Sequence, residues 1–298
     1  MMRSATDLAA LAAARVYCRQ LAISHYENFT VASWLLPRHL RQHFANVYAY
    51  CRTADDLADE QESPAQALVL LDDWEAQLDA VFVGEARHPV FIALRDTIRE
   101  FNLPKQPFSD LLVAFRRDQS QTRYESLTDL LTYCAKSANP VGRIVLALGC
   151  SADNENLRLS DSVCSGLQLA NFWQDVARDY ARGRIYVPQD ACRRFGWDEA
   201  RFARGKCDDD FRELLAPLVA DAEERLCTGY SLAGSVRSEL RVPVRLFIEG
   251  GRAVLAAIRA RQYDVWSRRP VISRLKKLRI LAASLVSTGL LRHSPQRT

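Results

Sequence analysis

Apolar residues recur at three- and four-residue intervals through most of this chain, the spacing of helices that bury one face. The periodic runs cover 5–23, 40–60, 65–83, 88–101, 107–116, 126–148, 160–182, 208–232 and 241–266. Alternating β-branched runs bounded by hairpin turns are nearly absent, so strands are not predicted. Breakers fall between the runs, among them Pro37, Pro64, Pro89, Pro104, Gly183, Pro188, Gly196 and Pro270. Ser109-Asp110 and Ser126-x-x-Asp129 have the form of helix starts, a cap oxygen followed by an early carboxylate. No Ser/Gly-rich linker or tandem repeat divides the sequence, and the longest irregular stretch predicted is about 183–207. The expectation is a single all-α domain over 1–298.

Composition narrows the class further. With 48% hydrophobic and 26% charged residues the chain can bury a sizeable core. A formal charge of +4 is too small to suggest a nucleic-acid partner. The eight cysteines form no C-x-x-C pair, which disfavours a zinc ribbon or redox motif and predicts reduced, mostly buried thiols in the cytoplasm. The Ala-rich N-terminus contains Asp7 and lacks a cleavage site, so it is expected to be a helix rather than an export signal. Leu278 to Leu291 is interrupted by Arg279 and is shorter than the ~20 residues of a spanning helix.

Chemistry concentrates in two acidic segments. In YAYCRTADDLADE, residues 48–60, Asp55 and Asp59 are four apart, as are Asp56 and Glu60. Each pair shares a helix face, and the stripe of Asp55 continues back through Arg52, Tyr48 and Phe44. Such a pair alone fits a solvated acidic face. Here Val47, Tyr48, Ala49, Tyr50, Cys51, Ala54, Leu57 and Ala58 surround it, and buried carboxylates call for a partner such as a divalent cation. In LQLANFWQDVARDYARGRIYVP, residues 167–188, the residues Gln168, Asn171, Asp175 and Asp179 form one polar stripe on an otherwise apolar helix. Arg178, Arg182 and Arg184 follow. Carboxylates suit Mg²⁺, and arginine grips phosphate oxygens, so the combination describes a diphosphate bridged by metal ions between two helices.

These residues resemble a known family. Arg52-x-x-Asp55-Asp-x-x-Asp59, followed by Gln168-x-x-Asn171-x-x-x-Asp175-x-x-x-Asp179 and Arg182-Gly-Arg-Ile-Tyr-x-Pro188, is similar to the squalene/phytoene synthases, the head-to-head trans-isoprenyl synthases. The likeness runs from about His25 to Tyr263. It implies the all-α isoprenoid synthase fold with a central cavity, and Mg²⁺, or Mn²⁺ in its place, on Asp55, Asp59, Asn171, Asp175 and Asp179. It also implies an isoprenoid diphosphate substrate contacted by Arg52, Gln168, Asn171, Arg178 and Arg184. Where many members have a serine-rich S-x-S-F segment, this chain has His25-Tyr-Glu-Asn-Phe29. Where they have a small-residue V-A-G helix, it has Tyr133-Cys-Ala-Lys-Ser-Ala-Asn-Pro-Val-Gly142. Both segments look like the hydroxysqualene synthases of bacterial hopanoid pathways. These act on presqualene diphosphate without NADPH, beside separate upstream and downstream squalene-pathway enzymes.

On that resemblance a carbocation wall is expected from Phe29, Tyr48, Tyr133, Phe172 and Tyr263, with Asn139 or Tyr133 positioning water and His25 at the entrance. A condensing synthase that joins two prenyl diphosphates is the nearest alternative, and an inactive helical scaffold is the alternative of another class. His39 and His43 are expected on a solvated basic face. Asp118, Arg123 and Tyr124 fit a pocket lining or a helix-end salt bridge equally. The basic run Arg268, Arg269, Arg274, Lys276, Lys277 and Arg279 reads as a solvated face. Beside LRILAASLVSTGLL it also admits peripheral contact with the inner face of a membrane. No dinucleotide fingerprint, P-loop or nucleophile elbow is present.

Overall fold

The computed structural model describes residues 5–24 and 36–290, which fold into two compact helical units. His25 and Phe29 lie outside the described residues. One unit comprises the chain to Gln121 together with Pro140–Ala152, and the other comprises Thr122–Asn139 and the chain from Asp153 onward.

In the first unit α1 (Ala5–Ser24), α2 (Arg38–Asp59), α3 (Pro64–Phe82), α4 (Pro89–Phe101) and α5 (Gln106–Asp118) succeed one another. α2 is the shared element, packing against α1, α3, α4 and α5. Helix starts follow local chemistry. Pro64 opens α3 behind Ser63, whose side chain accepts the Gln66 amide, and Pro89 opens α4 behind His88. Asn102 ends α4 in the left-handed region at φ 47°. Tyr50 is the pivot of the core, ringed by Trp74, Phe91 and Phe108, and its hydroxyl donates to the Phe108 carbonyl at 3.0 Å. His43 contradicts the basic-face expectation. It is buried, 3.1 Å from Thr97 Oγ1 and edge-on to Phe101, and burial lowers its pKa. α5 begins at Gln106 rather than at Ser109, because Pro107 already sits in its first turn.

The periodic run 126–148 is broken at Ala138 into α6 (Leu127–Ser137) and α7 (Asn139–Leu148). Pro140 explains the break, since it lacks the amide that would donate to the Lys136 carbonyl and its ring crowds that carbonyl. Ser126 caps α6 as its spacing predicts, accepting the Asp129 amide while Asp129 accepts the Glu125 amide.

The second unit is organised on α8 (Asn154–Ala181), capped by Asp153. Two six-residue helices, α9 (Gln189–Arg194) and α10 (Glu199–Arg204), occupy the stretch predicted to be irregular. α11 (Asp209–Thr228), α12 (Tyr230–Ser235), α13 (Ser238–Ala260) and α14 (Arg274–Leu290) follow, and α6, α11, α12 and α13 pack on α8. Trp173 lies fully buried and donates from its indole to the Leu218 carbonyl of α11 at 3.0 Å. Close approach of α8 to α11 requires Gly166, where a Cβ would come within 3.0 Å of Leu226 and 3.1 Å of the Ala222 carbonyl. The periodicity through 266 overruns the end of α13. Gln262 and Tyr263 turn left-handed at φ 51° and 61°, and the chain leaves the helix. Among the described residues the only β pairing is a bridge between Arg123 and Ile185. None of the eight cysteines forms a disulfide, but only Cys18, Cys134 and Cys192 are buried, while Cys150 and Cys227 are exposed. No described helix is long and apolar enough to cross a membrane.

Candidate functional site

The acidic end of α2 keeps its apolar faces inside the first unit and its carboxylates at the edge. Val47, Ala49, Tyr50, Ala54 and Ala58 are buried. Asp55 retains 41% side-chain exposure and Asp59 is exposed. Arg52 binds the run from one turn back. Its Nη1 lies 2.9 Å from Asp55 Oδ2, its Nη2 pairs with Asp56, and Glu60 lies 3.8 Å away. Tyr48, one turn earlier, is half-buried, and burial raises its hydroxyl pKa. A guanidinium therefore sits among three carboxylates. Replacing Arg52 with Lys keeps the charge and loses the fork, so we expect KM for a diphosphate substrate to rise at least about tenfold. Kinetics equal to the parent enzyme would make Arg52 a structural ion-pair partner only.

In the second unit the polar stripe of α8 emerges as its spacing predicts, with Gln168, Asp175 and Asp179 half-buried and Asn171 exposed. Asp175 is held by Arg269, whose Nε and Nη2 lie 2.5 and 2.7 Å from its two oxygens. Arg178 stands 3.7 Å from Asp175 and is otherwise open to solvent. Arg269 also donates to Gln174 Oε1 at 2.9 Å, and Gln174 donates to the Pro270 carbonyl. The basic run is thus not wholly a solvated face: Arg269 belongs to the aspartate cluster. Burial, with Asp175 nearby, pushes the Asp179 carboxyl up to about 7 against the pull of Arg182, Arg184 and Arg178.

Beside Asp179 lies a closed crevice, too tight to admit a water molecule, lined by Phe172, Val176, Arg184, Ile185, Tyr186, Val187 and Phe202. Behind it lies a buried aromatic cluster. Phe172 stacks on Tyr186 at 3.8 Å and 12°, Tyr186 stacks on Tyr124 at 5.6 Å, and Tyr133 lies 5.3 Å from Tyr124. The segment carrying Arg184 and Tyr186 is fastened by main-chain bonds, Ile185 to Thr122, Gln189 to Tyr124 and Asp190 to Glu125, each donating from its amide. Arg123 donates to the Gly183 carbonyl at 2.7 Å and pairs with Glu199. Of the two readings open for this stretch, Arg123 meets the salt bridge, while Tyr124 is fully buried in the aromatic cluster. Buried Asn139 accepts the Ser165 hydroxyl at 2.9 Å. Half-buried Tyr263 hydrogen-bonds Arg259. Arg269 and Gln174 escape sequence reasoning because 94 residues separate Arg269 from Asp175, whereas Tyr186 stands in the motif itself.

The donor set fits Mg²⁺. Each aspartate pair offers hard oxygens, and the like-charged Asp175–Asp179 pair is of the kind a divalent cation relieves. Among the described residues no three His, Cys, Asp or Glu side chains converge as a metal cage. An ion there would complete its shell with water and phosphate, as Mg²⁺ commonly does.

An all-helical fold with paired aspartates beside arginines defines a class, and comparison with known proteins agrees with it. Residues 23–276 match the squalene/phytoene synthase family model. The chain is 31% identical to a phytoene synthase of Arthrospira platensis, covering 89% of this chain and 90% of that one. It is 34% identical to a hydroxysqualene synthase of Sinorhizobium fredii, covering 82% and 83%. The crystal structure of squalene synthase HpnC from Alicyclobacillus acidocaldarius superposes with a TM-score of 0.82 at 43% identity, covering 85% of this chain and 96% of that one. The chain belongs to the squalene/phytoene synthase family and has the isoprenoid synthase fold.

Proposed function

We propose that this protein is a Mg²⁺-dependent hydroxysqualene synthase that ionises presqualene diphosphate and ends the rearranged cation with water. The observation that supports the ionisation is the end of α8, where Asp175 and Asp179 stand beside arginines and next to the Phe172–Tyr186 stack. Charged groups at a diphosphate and electron-rich rings at a carbocation are the two demands of such a step. Asp55 and Asp59 in one unit, and Asp175, Asp179 and Asn171 in the other, are the residues that would hold Mg²⁺. Bound there, the metal would supply neutralising charge to the departing diphosphate. Arg52 in the first unit, and Arg178 and Arg184 in the second, are the candidates to bind phosphate oxygens. The substrate's C–O bond breaks with both electrons leaving on the diphosphate. The cation rearranges against aromatic side chains, a water oxygen adds to it, and the surplus proton is lost to solvent.

The hydrating branch draws support from HYENF, from KSANPVG and from the hydroxysqualene synthase relative. Buried Asn139, joined to Ser165, supplies a polar group where a small-residue helix has none. Its amide group can hold a water. A condensing reaction is favoured instead by the phytoene synthase relatives. The intact aspartates and Arg52 argue against an inactive scaffold.

Incubation of purified protein with presqualene diphosphate and Mg²⁺ in ¹⁸O-water, without NADPH, should yield labelled hydroxysqualene. Squalene appearing only with NADPH, or presqualene diphosphate accumulating from farnesyl diphosphate, would transfer the assignment to the condensing branch.

A further inference from the structure

We infer that α14 is a membrane-surface helix that docks the protein on anionic phospholipid. Nothing in this inference depends on which reaction the chain catalyses. From Val265 to Thr298 the sequence has eight of its 40 Lys and Arg and none of its 36 Asp and Glu. The remainder of the chain therefore holds 32 basic and 36 acidic residues and is net negative, although the whole is +4. Positive charge is segregated to one end.

The helix adds a geometric argument. α14 packs on α13, with Ser284 buried and Ile280 and Leu281 half-buried. Leu275, Leu278, Ala282 and Val286 recur at three- and four-residue spacing and point outward together. Leu275 is 70% exposed, Leu278 62% and Val286 61%. At 100° per residue, Arg274 and Arg279 flank this stripe on its two sides. Isolated exposed leucines are ordinary, but an exposed apolar stripe between arginines, in a segment without acids, is the pattern of a helix lying in a lipid interface. Apolar side chains enter the acyl boundary while the basic residues meet headgroup phosphates. At 17 residues and with four basic side chains, α14 lies on a bilayer rather than through it. Arg269 is set apart from this surface because Asp175 holds it.

Vesicle flotation with the full chain tests the inference. The protein should float with phosphatidylcholine vesicles containing one-third phosphatidylglycerol, bind pure phosphatidylcholine far more weakly, and be released by high salt. Replacing Arg274, Lys276, Lys277 and Arg279 together with Gln should lower the partition coefficient for anionic vesicles on the order of 10²–10³-fold. The pair Leu275→Asp and Leu278→Asp should abolish flotation with an unchanged far-ultraviolet spectrum and melting point. Either variant floating like the parent protein, or a parent protein that ignores anionic vesicles, would overturn the inference. A concentration-dependent dimer that the leucine pair dissolves, without any vesicle binding, would also overturn it by making α14 a contact between copies of this chain.

Discussion

Asp175→Asn should lower the rate with a prenyl diphosphate substrate by roughly 10²–10⁴-fold, on the scale of losing a main electrostatic contributor. Asp55→Asn should do the same in the first unit. Each change removes a hard anionic oxygen while leaving the side chain nearly isosteric, and titration of activity with Mg²⁺ should show a raised metal requirement. Stability should separate the aspartates of α8. Asp175 receives the Arg269 fork, so its Asn variant loses an ion pair and should melt slightly lower. Asp179 is different. Its folded pKa of about 7 lies above the ordinary 3.8, so its ionised form is disfavoured by folding. The penalty begins as pH rises past about 4 and is complete above about pH 7. Metal-free Asp179→Asn should accordingly melt higher than the parent at neutral pH, equal it near pH 4, and still be nearly inactive. A parent-like rate and metal response in either Asp55→Asn or Asp175→Asn would sink the assignment of both pairs to Mg²⁺.

Trp173→Ala should cost about 3–5 kcal/mol of stability, the range for emptying a buried aromatic site. The indole is fully buried between α8 and α11, and its loss also removes the hydrogen bond it donates to the Leu218 carbonyl. For a chain of this size the melting midpoint should fall on the order of 10 °C. Trp173→Phe keeps most of the ring and loses mainly the hydrogen bond, so about 1 kcal/mol is expected. Melts of both variants, compared at one pH, distinguish packing from hydrogen bonding. If Ala and Phe variants melted alike, the cavity argument for this position would fail.

What the residues revealed in advance was periodic and local. The 3.6-residue spacing located α1 to α5 within a few residues and α8 except for its first six residues, and Ser126-x-x-Asp129 announced its cap. The same spacing placed Gln168, Asn171, Asp175 and Asp179 on one stripe, because that is a property of a single helix. Information carried across the fold was not legible. Nothing near Arg269 distinguishes it from Arg268, yet only contact with Asp175 makes it part of the cluster. His43 sits among Arg38, His39 and Arg41, and its burial is set by Thr97 and Phe101 on α4. α9 and α10 are too short to show a full apolar period, and α14 was hidden by basic residues interleaved with its leucines.

The three main-chain bonds that fasten 185–190 to 122–125 have a consequence for how this catalyst can change. Amide and carbonyl groups are common to nearly every residue, so the fastening is indifferent to the side chains it carries. Tyr124 and Tyr186 can then be exchanged for other flat or bulky residues without unpicking the seam that presents them. Proline is barred at 185, 189 and 190, where an amide must donate. Mutational drift or directed evolution at these two tyrosines would therefore sample new packings beside the aspartates of α8 on an unchanged frame.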